Sequence, residues 1–365
     1  MPVTVTEAER ASFLRCRRQW DFQAGMRQNL EPRNRPAAPD LDRAIRDALA
    51  VYYFPGMWDW DRRVRLPLVG QELDRALEGR ALDEGKALLG RYVRWAPVVD
   101  RFAPVLVETD FEATVLDPDG AAVVTAGGEP VRYRGRIDLM AVDAHDAYWI
   151  VRHRVVDGDW PPTEQLLADD QALAACWAWE QFYLGMAITG TIYNEMKPVP
   201  DGRRRPWPRL RAGRPWPRLP ARRPRVRQHE PSGGGRSVPQ HRRMYAQARK
   251  PVRVRPVEQH TGPGFRRTWL RHHPDDVAAA GQRLGRDVAE MARPDLAVYP
   301  EPSDQHCPAC PYLAPCLALR AGTQPSLSEY RPRPPDGPQE GRLGGRSWSL
   351  GRGAAPPKFR RGPAS

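Results

Sequence analysis

Three of the chain's five cysteines fall within ten residues, in "HCPACPYLAPCLAL" (306–319), and no other feature limits the fold so sharply. Cys307, Cys310 and Cys316 are spaced C-x2-C-x5-C, and Pro308, Pro311 and Pro315 stiffen the turns that aim the sulfurs at one point. Three thiolates leave tetrahedral zinc or a cubane iron-sulfur cluster one ligand short. Cys16, on an N-terminal helix, is the natural fourth, so the spacing predicts that the two ends of the chain meet at one metal centre. Cys176, within "LAACWAW", reads instead as a small buried hydrophobe. Such sparse, uneven cysteine use differs from that of a disulfide-stapled secreted domain and predicts a reducing, cytoplasmic setting.

Hydrophobic periodicity supplies the rest of the architecture. Phe13, Cys16 and Trp20 recur at helical spacing over 6–25, and further helices are expected over 40–54, 70–96, 163–183 and 274–292. Strand signals fall at 104–116, 130–142, 147–156, 187–196 and 265–273, the second and third joined by a short "DAHD" hairpin connection. Helices, a strand meander, a helix and a strand make an α/β fold, a mixed central sheet flanked by helices. The N-terminal "MPVTVTEAER" lacks a basic region followed by an apolar core, so no secretion leader is expected. The most apolar window, 173–193, carries Glu180 and Gln181 in its middle and reads as helix then strand, which predicts no membrane span.

Charge is laid out unevenly. The formal total is +13, yet residues 203–255 hold eighteen Arg or Lys against one acid and residues 331–365 hold eight against two, which leaves the rest of the chain at −10. The body is acidic, and the basicity belongs to one insert and one tail. "RRRPWPRLRAGRPWPRLPARRPRVR" contains no acid, repeats "RPWPRL", and cannot bury enough apolar surface to order itself. Its arginines suit a DNA or RNA backbone without sequence preference, and Trp207 and Trp216 suit stacking on exposed bases. The same Arg, Pro and Gly vocabulary arises when a GC-rich gene is read out of frame, and resequencing that stretch decides between the two origins. The expected organisation is therefore N-terminal helices and core over 1–202, a disordered basic insert over 203–255, the end of the core with the cysteines over 256–330, and a disordered tail over 331–365.

A one-cysteine "FLRCRRQWDF" helix, a "GRIDLM" strand, a following "YWIVRHRVV" strand and the terminal "CPACPYLAPC" together resemble the RecB-like branch of the PD-(D/E)XK nuclease superfamily. The pattern is most similar to that of its iron-sulfur members, among them AddB-type helicase-nuclease subunits and the CRISPR-adaptation exonucleases. Over most of 6–320, apart from the insert, the resemblance implies a restriction-endonuclease-like core stapled by a structural [4Fe-4S] cluster on Cys16, Cys307, Cys310 and Cys316, with zinc as the alternative. It also implies a nuclease site in which carboxylates hold Mg²⁺ and a lysine orients the attacking water. Asp138 matches the "GRID" aspartate, and Glu108, one strand earlier, is a second carboxylate.

The next strand departs from that pattern. Strand alternation places Arg152 and Arg154 at the positions of the family's acid and lysine. A guanidinium neither ligates a metal nor serves as a readily deprotonated base, so this pair is expected to repel Mg²⁺ and to pair with Asp138. Arg46 stands where the family has a histidine. Gln171 keeps the glutamine of a Q-x3-Y helix, but Ala175 replaces its tyrosine. His153 points away from the two arginines and reads as a packed or surface residue. Taken without the family, Asp138 and Glu108 are strand carboxylates that Arg134 or Arg136 would satisfy. Three functions remain open on the sequence: a DNA-, RNA- or protein-binding module with lost or altered nuclease activity, an active Mg²⁺-dependent DNA exonuclease, and a zinc-stapled structural protein.

Overall fold

Edge pairing begins at the third residue. In the computed structural model, which describes residues 3–34, 40–198 and 257–333, Val3–Thr6 forms β1, and Thr6 then caps α1 (Glu7–Arg15) through a reciprocal capping box with Glu9. After α2 (Arg17–Gln23) and β2 (Leu30–Pro32), three helices follow: α3 (Leu41–Tyr52), α4 (Arg62–Ala76) and α5 (Gly79–Val99). The sheet is then laid down by β3 (Phe102–Thr114), β4 (Val131–Asp143) and β5 (Tyr148–Val155), and α6 (Thr163–Leu167) and α7 (Asp170–Phe182) cross over to β6 (Ile188–Met196). Beyond the insert come β7 (Val257–Gly262), β8 (Phe265–Arg271), α8 (Pro274–Met291), α9 (Leu313–Arg320) and β9 (Tyr330–Pro332). The expected insert of 203–255, with Trp207 and Trp216, lies outside the described residues.

The sheet is mixed, as the sequence predicts. β4 pairs antiparallel with β3 along one edge, and its other edge is shared by β1, parallel, and β5, antiparallel. β6 joins β5 in parallel, β8 joins β6 antiparallel, and β7 closes the outer edge. The "DAHD" hairpin forms because the Asp143 carboxylate accepts the amides of His145 (2.8 Å) and Ala147 (3.1 Å) and the Trp149 indole N–H (3.0 Å). Gly135 of "GRID" is a packing necessity: a Cβ there would lie 2.3 Å from the Phe111 ring that crosses it.

One hydrophobic core, including Phe13, Trp20, Ile150, Trp179 and Leu284, lies on the α1, α2, α7 and α8 side; a second, including Ile45, Leu73, Tyr92, Leu139, Trp149 and Ile192, lies under α3, α4 and α5. No helix among the described residues is long and apolar enough to cross a membrane.

Three expected helices are each broken once. The 70–96 helix starts earlier, as α4, and restarts after Leu77–Glu78 at Gly79, whose φ of +53° suits glycine. The 163–183 helix restarts at Asp169, whose carboxylate caps Ala172. The 6–25 helix breaks at Cys16, which takes extended backbone (φ −163°, ψ 107°) because its neighbours find partners from the far end of the chain: the Arg18 amide donates to the Tyr299 carbonyl (3.1 Å) and the Arg18 guanidinium to the Val298 carbonyl (2.9 Å). Leu184, within the apolar 173–193 window, is exposed beyond the end of α7. Residues 331 and 332, the expected start of the tail, belong to β9, which pairs with β2; the tail from 334 lies outside the described residues.

Candidate active site and cysteine cluster

A cleft of about 860 Å³ opens where β4 and β5 meet α1, α3, α7 and the 305–311 segment. Five arginines (Arg15, Arg46, Arg136, Arg152 and Arg154) line it against three carboxylates, Glu7, Asp42 and Asp138. Gln171, from the first turn of α7, lines it too, with Ala175 one turn on. The structure therefore brings Asp138, Arg152, Arg154, Gln171 and Arg46 together, as their positions in the sequence imply. Glu108 sits opposite Asp138 across the β3–β4 pair, between the Val107–Leu139 and Thr109–Ile137 partners, with a left-handed φ of +45° that is unusual for a glutamate.

The pairing differs from expectation. Arg152 donates to Glu7 (2.6 Å) at the start of α1, and Arg154 donates to Asp169 (2.6 Å) just before α7, so neither arginine pairs with Asp138. Helix starts bring those acids in: the capping box fixes Glu7 at the first position of α1, and Asp169 is itself an N-cap. Asp138 instead accepts the His153 amide (2.8 Å), and among the described residues it is in no ion pair. Glu108 is satisfied by Arg136 (3.1 Å), which also binds Asp110 (2.7 Å), so the carboxylate-plus-strand-arginine reading holds for Glu108 and fails for Asp138. Arg134 likewise turns to Asp110, at 3.7 Å.

Electrostatics follows from these contacts. Burial pushes the Asp138 carboxyl above the usual carboxylate range against the opposing pull of Arg46 and Arg152, and burial together with the Asp138 charge pushes Glu108 up as well. Asp169 goes the other way: burial opposes its charge, but Arg152 and Arg154 overcome it and hold the carboxyl low. Burial also disfavours charge on Arg152, which Glu7, Asp169 and Asp138 more than restore. Glu7, Asp42 and Asp169 are the site residues that sequence reasoning missed. Each had a signal in the capping residue before or at a helix start ("TEAE", "DLDR", "DDQA").

Mg²⁺ does not suit this donor set. Glu7, Asp42 and Glu108 are each committed to an arginine, the guanidiniums of Arg152 and Arg154 line the cleft from β5, and among the described residues no three His, Cys, Asp or Glu side chains are grouped to hold a metal ion.

Thiolates are the donors a soft metal centre takes, although no three of the described cysteines are grouped to hold a metal ion either. All five cysteines are free. Cys307 opens a 3₁₀ turn (Cys307–Ala309), the Cys310 amide closes it onto the Cys307 carbonyl (3.1 Å), and Cys316 lies in α9. Burial raises the Cys310 and Cys316 thiols, and in each case Cys16 and Cys307 push in the same direction. Backbone amides point at two of the four sulfurs, Glu301 at Cys16 (3.5 Å) and Ser303 at Cys307 (3.3 Å). Cys176 is remote and inert, its thiol pushed up to about 12 by burial, beside the Thr191 hydroxyl at 3.7 Å.

The chain belongs to the PD-(D/E)XK nuclease superfamily, whose model matches residues 4–317. Curated proteins give no match. Among solved structures, one titled "Crystal structure of SSO0001" is similar at 11% identity with a TM-score of 0.25, over 53% of this chain and 63% of that one, a little under two thirds of its length.

Proposed function

We propose that the protein is a nucleic-acid-binding module built on the nuclease fold, with a cleft that works without a divalent metal and with its two ends stapled by a [4Fe-4S] cluster on Cys16, Cys307, Cys310 and Cys316. The observation that carries the reading is the pairing of Arg152 with Glu7 and of Arg154 with Asp169 at the two cleft positions where a metal-dependent nuclease has its acid and lysine. These pairs are partly exposed, with side chains 13–31% accessible, and such pairs are worth on the order of 1 kcal/mol. A phosphate oxygen can therefore take the place of either carboxylate at small cost, so the arginines are positioned to exchange an internal partner for a phosphodiester. The cluster, when bound, supplies the covalent tie between α1 and the 307–316 segment; the residues of this chain supply four thiolates and the amides that steady them.

Two assays test the two halves. With Mg²⁺ or Mn²⁺ the unmodified protein is expected to leave single-stranded DNA intact while binding it; cleavage that Asp138→Ala abolishes would establish the active-exonuclease alternative. Iron and sulfide measured after anaerobic purification are expected to be lost in Cys16→Ser, Cys307→Ser, Cys310→Ser and Cys316→Ser and kept in Cys176→Ser. Stoichiometric zinc without sulfide would establish the zinc-stapled alternative.

A further inference from the structure

The cleft is lined by two sets of side chains of different chemistry. Arg46, Arg136, Arg152 and Arg154 come from α3, β4 and β5, and each is held by an acid: Asp42, Glu108 with Asp110, Glu7 and Asp169 in that order. The second set is a stripe at steps of four, Ala11 and Arg15 of α1 followed by Gln19 and Gln23 of α2, which stays on the cleft side across the break at Cys16. Among the described residues Arg15 is in no ion pair; its guanidinium reaches the Gln19 amide oxygen at 3.4 Å. The Gln23 side-chain amide has no hydrogen-bond partner among the described residues, and no Phe, Tyr or Trp lines the cleft.

We propose that Gln19 and Gln23 contact the base edges of an unpaired strand whose phosphates lie on Arg152 and Arg154, with Arg15 as a further phosphate contact. On the nucleic-acid reading of the cleft, on which this rests, the ligand is single-stranded and turns its bases to α2. Size argues for one strand. A volume of about 860 Å³ is that of a site for one drug-sized molecule, so a nucleotide or two enters and a duplex does not. Chemistry assigns the two sets. Guanidiniums match phosphate oxygens, whereas a primary amide offers a donor and an acceptor side by side, matches a base edge, and carries no charge to draw a phosphate. Aromatic rings are the usual platform for bases held without being read, and with no Phe, Tyr or Trp in the cleft that contact falls to the amides. Arg15 has no carboxylate to release, so it takes a phosphate without the exchange of partner that Arg152 and Arg154 need.

Removing the bases from the ligand separates the two sets. Fluorescence anisotropy in EDTA compares a labelled DNA single strand of mixed sequence with a strand of the same length that is abasic throughout. The proteins are the unmodified full chain, Gln19→Ala/Gln23→Ala, Arg15→Ala and Arg152→Ala/Arg154→Ala. The unmodified protein is expected to bind the base-bearing strand about tenfold more tightly than the abasic one, the scale of one good amide–base pair. The glutamine variant is expected to lose that preference while keeping its affinity for the abasic strand. Arg15→Ala is expected to keep the preference and to weaken both strands, with a salt slope smaller by about 0.7. Equal binding of the two strands by the unmodified protein, or a preference untouched in the glutamine variant, overturns this inference and leaves the arginine cleft intact. Single-strand affinity unchanged in Arg152→Ala/Arg154→Ala overturns the reading of the cleft itself.

Discussion

Arg152, His153 and Arg154 are consecutive on β5, yet the two faces of the strand treat charge in opposite ways. On the cleft face each arginine meets a carboxylate brought by a helix start, and both members of each pair keep some contact with solvent. On the reverse face His153 is sealed into a network with Tyr53, Tyr92, Asn194, Asp100 and Arg267. The Asn194 amide meets the His153 ring at 2.8 Å and the Tyr92 hydroxyl at 2.8 Å, the two tyrosine hydroxyls meet at 2.7 Å, and Arg267 pairs with Asp100 while donating to Tyr92 (3.0 Å), Asn194 (3.2 Å) and Tyr53 (3.2 Å). Arg267 is fully buried. The difference shows that the number of charges does not mark a site. A closed network spends its hydrogen-bonding capacity on itself and stabilises the fold, whereas an open set of single pairs can trade partners with a ligand.

The most direct way to break that comparison is to remove one cation from each face. Arg267→Met leaves Asp100 buried and uncompensated, and is expected to cost about 3–5 kcal/mol in urea unfolding, against about 1 kcal/mol for Arg152→Met. Equal losses would erase the distinction.

A smaller effect, read per unit of pH, comes from His153. Burial, with Arg267 and Arg46 nearby, takes its imidazole down to about 3. The unfolded chain accepts a proton there near the ordinary value of about 6.5, so as pH falls the unfolded state is protonated first, and stability is lost from about pH 6.5 towards 3 at up to about 1.4 kcal/mol per unit. His153→Gln, which keeps an acceptor for Asn194 and does not titrate, is expected to flatten that slope. An unchanged slope would mean that the ring is not sealed.

The smallest effect concerns how binding is shared between the cleft and the 203–255 insert. Deleting the insert is expected to lower nucleic-acid affinity and shrink its salt dependence, because fewer counterions are released. The residual, less salt-sensitive affinity is expected to go with Arg152→Ala and Arg154→Ala. An unchanged salt slope after deletion would remove the insert from the binding surface.

Much of the fold was legible because alternation and helical period report burial directly: all five strands expected from pattern form, and the "DAHD" connection closes as a hairpin around Asp143. The short edges β1, β2 and β9 were not, since three or four residues carry too little pattern and their pairing partners lie more than a hundred residues away. The break at Cys16 was hidden for the same reason, being caused by carbonyls at 298 and 299 rather than by local propensity. At the site, strand parity correctly placed Arg152 and Arg154 beside Asp138 and turned His153 away. It could not foresee that Glu7 and Asp169 would claim the arginines, because those acids arrive on separate helices. The β2–β9 ribbon and the stacked rings of Phe22, Tyr312 and Tyr330 (centroids 5.3 and 5.5 Å apart), which close the two ends of the chain beside the cysteines, were likewise invisible to local pattern.

The central claim is that the cleft binds nucleic acid through its arginines and needs no divalent metal. The measurement that reaches it most directly is fluorescence anisotropy of a labelled DNA single strand, titrated with the full chain in EDTA and again in Mg²⁺, for the unmodified protein and for Arg152→Ala/Arg154→Ala, with product analysis on the same samples. Equal affinity in EDTA and Mg²⁺, an intact strand, and weaker binding by the double variant in both are expected. Binding that requires Mg²⁺, with a strand degraded in an Asp138-dependent way, would contradict it.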